Sequence, residues 1–339
     1  MQIDKKISGI GLFQHLAKWQ KPMKLLLVLL FSMLILLKIR DQNFRDFVTN
    51  LWLISDGQKA SYLLIAMLLM PVNWLIEAIK WRVIAKEYAI ISTRRALSGV
   101  LAGNFFSIMT PMRLGDYIGR MIPVGPDQNL KTSIATFISS FAQNIVILGF
   151  GLTSLIWYLI IHDVISEPIS WVLGIISAVI IIVFTYFYFF QNWLIGIFKK
   201  SRINWLIKLS KGADFLLTIK ESSLTNVLVL STLRYVIYIC QYILFMRLFG
   251  IELSFSFLFL SIALIFLLKT GIPLPALFGV LANGEFALHI IGGFGANELS
   301  ILSATLLLWI INLIIPALGG MYVVLKTNIS IKPKYEELS

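Results

Sequence analysis

Apolar runs decide what this chain can become. Leu25–Leu37, Ala60–Ile79, Ala96–Thr110, Thr132–Ile161, Trp171–Phe190, Asn226–Phe245, Leu253–Leu268, Gly271–Ile291 and Leu299–Leu325 follow one another with short polar stretches between them. A helix crossing a bilayer needs about 20 mostly apolar residues, and several of these runs reach that length. Hydrophobic residues make up 58% of the sequence and charged residues 14%, whereas a soluble domain is about a quarter charged. One aqueous core cannot hide that surplus, so lipid must solvate most of the surface. Spanning backbone has to satisfy its hydrogen bonds internally. The expected class is therefore an all-α polytopic integral membrane protein.

Several chemistries are excluded early. Cys240 is the single cysteine, so no disulfide forms within the chain, and His15, His162 and His289 lie too far apart for a metal-site spacing. No G-x-S-x-G, Walker A or dinucleotide fingerprint occurs, so neither a cofactor nor a metal is expected. The net charge of +12 suits contact with an anionic leaflet and does not require nucleic acid. Lys18, Lys21 and Lys24 precede Leu25–Leu37, but Lys38-Ile39-Arg40-Asp41 follows in place of a small-x-small cleavage site. We expect a retained first span with snorkelling lysines.

Lys and Arg orient the runs. Clusters at Lys5–Lys24, at Lys80, Arg82, Lys86, Arg94 and Arg95, and across Lys199–Lys220 should be cytoplasmic; His162–Ser170 has neither residue and should face outward. Thr132–Ile161 supplies the one crossing between Arg95 and His162. Ala96–Thr110, short for a span, should then dip in and return, with Gly99 and Gly103 in a G-x-x-x-G spacing for close packing on neighbouring helices. Such non-helical backbone survives at membrane depth only against protein or a wet cavity. The expectation is one membrane domain over 1–339, with about seven or eight transmembrane helices and one or two re-entrant or broken segments. A cytoplasmic arm covers 1–24, a cytoplasmic amphipathic loop 191–224, and a short polar tail 326–339. Phe44, Phe47, Val48, Leu51 and Trp52 share a helical face suited to the outer surface. Lys326, Lys332 and Lys334 favour a cytoplasmic tail if Gly271–Ile291 crosses as a broken helix; a re-entrant Gly271–Ile291 would put the tail outside.

Charges inside lipid cost roughly 2.5–3.5 kcal/mol each on insertion scales and mark functional sites. In PVNWLIEAIKWR, Asn73, Glu77 and Lys80 share one helix face below Pro71; an interfacial Glu–Lys pair flanked by Trp74 and Trp81 is the competing reading. In NFFSIMTPMRLGDYIGR, Asn104, Arg113, Asp116 and Arg120 surround a break at Pro111 and Gly115. Arginine's planar fork suits a phosphate. Asp116 would hold Arg113 or cap the next helix; the competing reading is a cap with two snorkelling arginines. In KTGIPLPALFGVLANGEFALH, Pro273, Pro275 and Gly279 interrupt an apolar run that carries Glu285, the leading single candidate, with His289 as a structural neighbour. Interrupted segments in both halves of a chain point to a transporter's binding site and allow two pseudo-symmetric halves. Arg234 lies deep within Asn226–Phe245 and should pair with Glu285, Asp116 or Glu77.

These residues resemble an integral-membrane family typified by the flippase domain of lysylphosphatidylglycerol synthase. The resemblance runs roughly from Leu63 to Leu325. It rests on Trp81-Arg82, on Asn104 with Pro111-x-Arg113-x-Gly115-Asp116 and Arg120, and on Pro273-x-Pro275 before Gly279 and Glu285. Where family members often carry an arginine in the last span, this chain has Trp309 and Asn312. The synthase's aminoacyl-transfer domain is absent, so lipid aminoacylation is not implied. The resemblance implies a multi-pass protein of the bacterial cytoplasmic membrane, N-terminus inside, that is a transporter and not an enzyme. It would move a phospholipid or lipid-linked headgroup between leaflets. Arg113, Arg120 and Arg82 would receive an anionic or phosphate-bearing headgroup, with Asp116 and Glu285 meeting a cationic group or balancing the arginines. A non-catalytic partner of a glycosyltransferase is the main alternative, and a membrane-embedded lipid transferase a third.

Overall fold

The computed structural model describes residues 57–327, apart from Met109 and Leu274. The arm 1–24, the span expected at Leu25–Leu37, the amphipathic stretch at Phe44–Trp52 and nearly all of the tail lie outside the described residues. Within them every named element is helical: α1 (Gly57–Ala85), α2 (Thr93–Ser107), α3 (Gly115–Met121), α4 (Asn129–Ile161), α5 (Glu167–Phe189), α6 (Gln191–Lys200), α7 (Asn204–Ala213), α8 (Glu221–Leu248), α9 (Phe255–Thr270), α10 (Gly279–Ile291), α11 (Glu298–Trp309) and α12 (Ile315–Lys326). Five of the described helices are long and apolar enough to cross a membrane: α1, α4 with the 3-10 turn before it, α5, α8, and α11–α12 joined through a π-turn at Ile310–Ile314. The chain is an all-α polytopic membrane protein. On α5 only Tyr188 is buried, as befits a helix turned to lipid. Pro71 sits inside α1 without ending it.

Four of the shorter helices form two hairpins. The first is α2 and α3, folded back on one another along a glycine seam. A Cβ on Gly119 would stand 1.9 Å from the Gly103 nitrogen, and one on Gly115 would stand 2.2 Å from the Phe106 carbonyl carbon. Backbone therefore lies directly on backbone, the close approach that small residues permit between membrane helices. Gly99 and Gly103 were expected to pack on neighbouring helices; their partner is the return arm, where Gly115 and Gly119 repeat the spacing. At the open base the Arg95 guanidinium donates to the Pro123 carbonyl, and Ser92 Oγ accepts the Arg95 N–H at 3.3 Å as the cap of α2. α12 closes the outer side: a Cβ on Gly320 would lie 2.0 Å from the Leu101 carbonyl oxygen.

The second hairpin is α9 and α10, of 16 and 13 residues, separated by a break at residues 271–278. Leu253–Leu268 reads in the sequence as a span of its own and Gly271–Ile291 as a broken crossing or a re-entrant segment, but each helix is short for a span. Both ends of this pair lie beside the His162 loop: Phe257 packs on Phe294 at 4.5 Å between ring centroids, Phe294 on His162 at 5.6 Å, and Trp157 on Phe257 at 5.4 Å. The base of the first hairpin lies at the opposite end of α4, next to Asn129. The two hairpins thus enter the bundle from opposite ends. Their tips touch, with Pro111 facing Pro275 in an isolated antiparallel bridge. After this hairpin, α11–α12 starts at the His162 end and returns the chain toward the Arg95 end. A re-entrant Gly271–Ile291 reverses the tail only if Leu253–Leu268 crosses fully, and α9, at 16 residues, is shorter than a full crossing.

Candidate functional site

The meeting tips form one wall of a cavity of about 810 Å³, lined on its other sides by α1, α4, α8 and the π-turn region of the last span. α1 supplies Asn73, Glu77 and Lys80, the face read from the sequence, and all three are buried. The Glu77–Lys80 pair forms at 2.7 Å, but inside the bundle with Trp81 fully buried beside it; the interfacial reading of this segment is overturned. Glu77 also meets Arg120 Nη2 through Oε1 at 2.6 Å and Arg234 Nε through Oε2 at 3.4 Å. One carboxylate is therefore shared by three cations. Of the three acids considered for Arg234, Glu77 is the partner.

Arg120 comes from the return arm of the first hairpin and is 3% exposed. Its guanidinium carbon lies 5.8 Å from the Trp81 ring centroid, while Nε and Nη1 have no hydrogen-bond partner among the described residues. Gln143 on α4 links the other two cations: its Oε1 accepts from Lys80 Nζ at 3.4 Å and Arg234 Nη1 at 3.3 Å, and its Nε2 donates to the Ser231 carbonyl at 3.3 Å.

The tip of the first hairpin presents Arg113. Met112 and Arg113 both adopt left-handed backbone, φ 51° and 57°, which costs a non-glycine residue roughly 1–2 kcal/mol each. Thr110 Oγ1 accepts the Gly115 N–H at 2.8 Å and so starts α3. That leaves Asp116 free to accept from Arg113 Nε at 2.9 Å and Nη2 at 3.4 Å. Between holding Arg113 and capping the helix, Asp116 does the former. Asn104, fully buried, accepts from Arg113 Nη2 at 3.2 Å and donates to the Leu313 carbonyl at 3.0 Å. It is a positioning residue behind the arginine, and it ties the hairpin to the π-turn. Arg113 keeps 44% of its side chain exposed.

The second hairpin brings Pro273, Pro275 and Gly279 to the cavity wall, and with them Lys269. Lys269 ends α9 one residue before the break and has no carboxylate partner among the described residues. Residue spacing had suggested no role for it, nor for Gln143. The signals were present: a lysine closing an apolar run at a glycine–proline break, and a Gln-Asn pair inside Thr132–Ile161. Trp309 and Asn312, standing where an arginine was expected, also line the cavity. Asn312 Nδ2 donates to Gln241 Oε1 at 2.8 Å, and Trp309 Nε1 to the Ala276 carbonyl at 3.5 Å.

Two candidates lie elsewhere. Glu285 is exposed on α10, away from the cavity; its backbone carbonyl pairs with His289 Nδ1 at 2.8 Å. Spacing placed it in the right segment, but α10 turns Asn283 and Ala282 to the cavity instead. Arg82 is exposed and donates through Nε to the Ile91 carbonyl at 2.8 Å, fastening the turn between α1 and α2.

Among the charged groups lining the cavity, five are cations (Lys80, Arg113, Arg120, Arg234 and Lys269) and two are carboxylates (Glu77 and Asp116). Three positive charges are left in excess. No group of three or more His, Cys, Asp or Glu residues able to hold a metal occurs among the described residues. No curated protein and no solved structure matches the chain. Residues 24–320 match the family described as the lysylphosphatidylglycerol synthase TM region, a stretch that takes in every cavity residue named above, and the chain therefore belongs to that family.

Proposed function

We propose that the protein moves a lipid headgroup across the bilayer through this cavity, and that it is a transporter. The observation that carries the reading is the cationic cavity walled by two opposed hairpin tips. Excess cations inside a membrane bundle are costly unless an anion joins them, and broken helices meeting near the middle of a bundle are the geometry of transporter sites. In this reading both hairpins are re-entrant, one from each leaflet, and a headgroup at their tips is reached from either side while its acyl chains stay in lipid. Arg82, Arg94 and Arg95 lie at the first hairpin's base or on the helices leading to it, so that end is cytoplasmic by the positive-inside rule; the setting is the cell membrane. Arg113 makes first contact because it is exposed and held square by Asp116 and Asn104. Arg120 and Arg234 provide forked donors deeper in, and the N-terminus of α10 at Gly279 adds a helix-dipole field of the same sign. Asn104 acts through Arg113. Glu285 and Arg82 take no part.

The test is headgroup-selective leaflet exchange in proteoliposomes, wild type against Arg113→Ala, over anionic and zwitterionic phospholipids. Wild type should exchange an anionic lipid well above empty vesicles, and Arg113→Ala should lose most of that gain while keeping its elution profile. Exchange equal to empty vesicles for every lipid would overturn the transporter reading in favour of a membrane partner for a glycosyltransferase or another lipid-modifying enzyme.

A further inference from the structure

The charge inventory says more than that the ligand is anionic, because the cations fall into two groups. Around Glu77, three cations share one carboxylate, so that cluster is two charges positive. At the hairpin tips, Arg113 is matched by Asp116, and Lys269 has no acid among the described residues, so that cluster is one charge positive. Lys269 and Arg113 stand on the two hairpins whose tips meet, and both clusters line the same cavity. Arg120, nearly fully buried in the cavity wall, keeps two donor nitrogens, Nε and Nη1, without hydrogen-bond partners among the described residues.

A ligand should cancel about as much charge as the protein leaves open, since surplus of either sign is expensive in a low-dielectric interior. A phosphodiester headgroup such as phosphatidylglycerol brings one negative charge, and a zwitterionic headgroup brings none. Lysylphosphatidylglycerol, with two amines on one phosphodiester, is net positive and would add to the surplus. A terminal phosphate carries about −1.5 to −2 at neutral pH, and a second phosphate behind it brings the total near −3. We infer that the cavity takes a lipid whose headgroup carries two phosphates, one seated among Lys80, Arg120 and Arg234 and the other between Arg113 and Lys269. This inference rests on the cavity being a headgroup site, but it concerns which headgroup binds, and it stands apart from whether binding leads to exchange.

The experiment is lipid competition by native mass spectrometry on the full-length protein in phosphatidylcholine nanodiscs. Equal amounts of phosphatidylglycerol, lysylphosphatidylglycerol, phosphatidic acid and diacylglycerol pyrophosphate, all with the same acyl chains, are supplied together. Retention should rise in the order lysylphosphatidylglycerol, phosphatidylglycerol, phosphatidic acid, diacylglycerol pyrophosphate, with about tenfold or more between phosphatidylglycerol and the pyrophosphate lipid. Lys269→Gln and Arg113→Gln should each compress that spread, Lys269→Arg should restore it, and Lys199→Gln, a surface control paired with Asp214, should leave it unchanged. Equal retention of the phosphodiester and pyrophosphate lipids, or a preference for lysylphosphatidylglycerol, would overturn the inference. So would a spread that survives both Gln variants. Inorganic pyrophosphate is added in a separate arm: weak displacement supports a lipid headgroup, and displacement at concentrations matching the lipid would mean that the site binds a free anion. Preferential retention without leaflet exchange would leave this assignment standing and remove transport; exchange without preference would do the reverse.

Discussion

The two hairpins meet tip to tip yet are built on different principles. The first is rigid. Gly103, Gly115 and Gly119 put backbone against backbone, α12 locks it through Gly320, and its tip holds two left-handed residues that a looser frame would relax. It carries the ordered charges, Arg113 with Asp116 and Arg120 with Glu77. The second has no such seam. The nearest atoms to a Cβ on Gly279 or Gly284 are side-chain atoms of Lys269 and Leu302, at 3.3 and 3.2 Å. Its break is made by prolines, which remove N–H donors and stop helices, and residues 271–273 are exposed. The comparison teaches that one arm of the site is preorganised while the other has room to adjust.

Perturbations should rank accordingly. The largest effect is expected for Glu77→Ala, which strands three cations around one vacated carboxylate; losing one partner of a buried ion pair costs about 3–5 kcal/mol, to be seen as a collapse in detergent thermal stability. Should Glu77→Ala melt like wild type, the anchoring of the first hairpin through Arg120 is wrong. Gly119→Ala comes next, at about 3 kcal/mol from overpacking against backbone that cannot yield, read by the same melt. Its counterpart in the second hairpin, Gly279→Ala, should shift stability by less than about 1 kcal/mol, because the flexible Lys269 stem can move aside. Equal losses at Gly119 and Gly279 would erase the distinction between a rigid and an adjustable hairpin. Smallest is Met112→Gly, where relief of the left-handed backbone outweighs the added chain entropy. A gain of up to about 1 kcal/mol, or a few degrees, is expected; a loss would show that the Met112 side chain matters more than its φ.

Much of this architecture is legible in the sequence. Composition gave the class, and counting charges across Arg95 and His162 singled out Ala96–Thr110 as a segment that turns back. The helical face of Asn73, Glu77 and Lys80 survived intact because four- and three-residue spacings on a continuous helix leave little freedom. Arg113, Asp116, Arg120 and Arg234 were legible because charge in an apolar run needs a partner, although the choice of Glu77 for Arg234 depended on packing. Glu285 shows the limit. Beside prolines and glycines the helical phase is unknown, so the segment reaches the cavity while Glu285 faces away from it. Lys269 escaped notice because a lysine at the end of an apolar run looks like an interfacial anchor, and only the folding back of α9 brings that end into the interior. The pairing of α9 with α10 was hidden for the same reason: two adjacent apolar runs look alike whether they cross the bilayer or meet it halfway.

The contact between Pro111 and Pro275 has an electrical consequence. It is a single residue pair that belongs to no longer ladder among the described residues. If aqueous access reaches the tips from both sides, that pair is the thinnest insulator in the molecule, and most of the membrane voltage drops across it. Each elementary charge carried past it then exchanges about 2.3 kcal/mol with a 100 mV potential. A headgroup bearing several negative charges would make passage in one direction strongly voltage-assisted and passage in the other strongly opposed, so the membrane's own polarity could set the direction of travel.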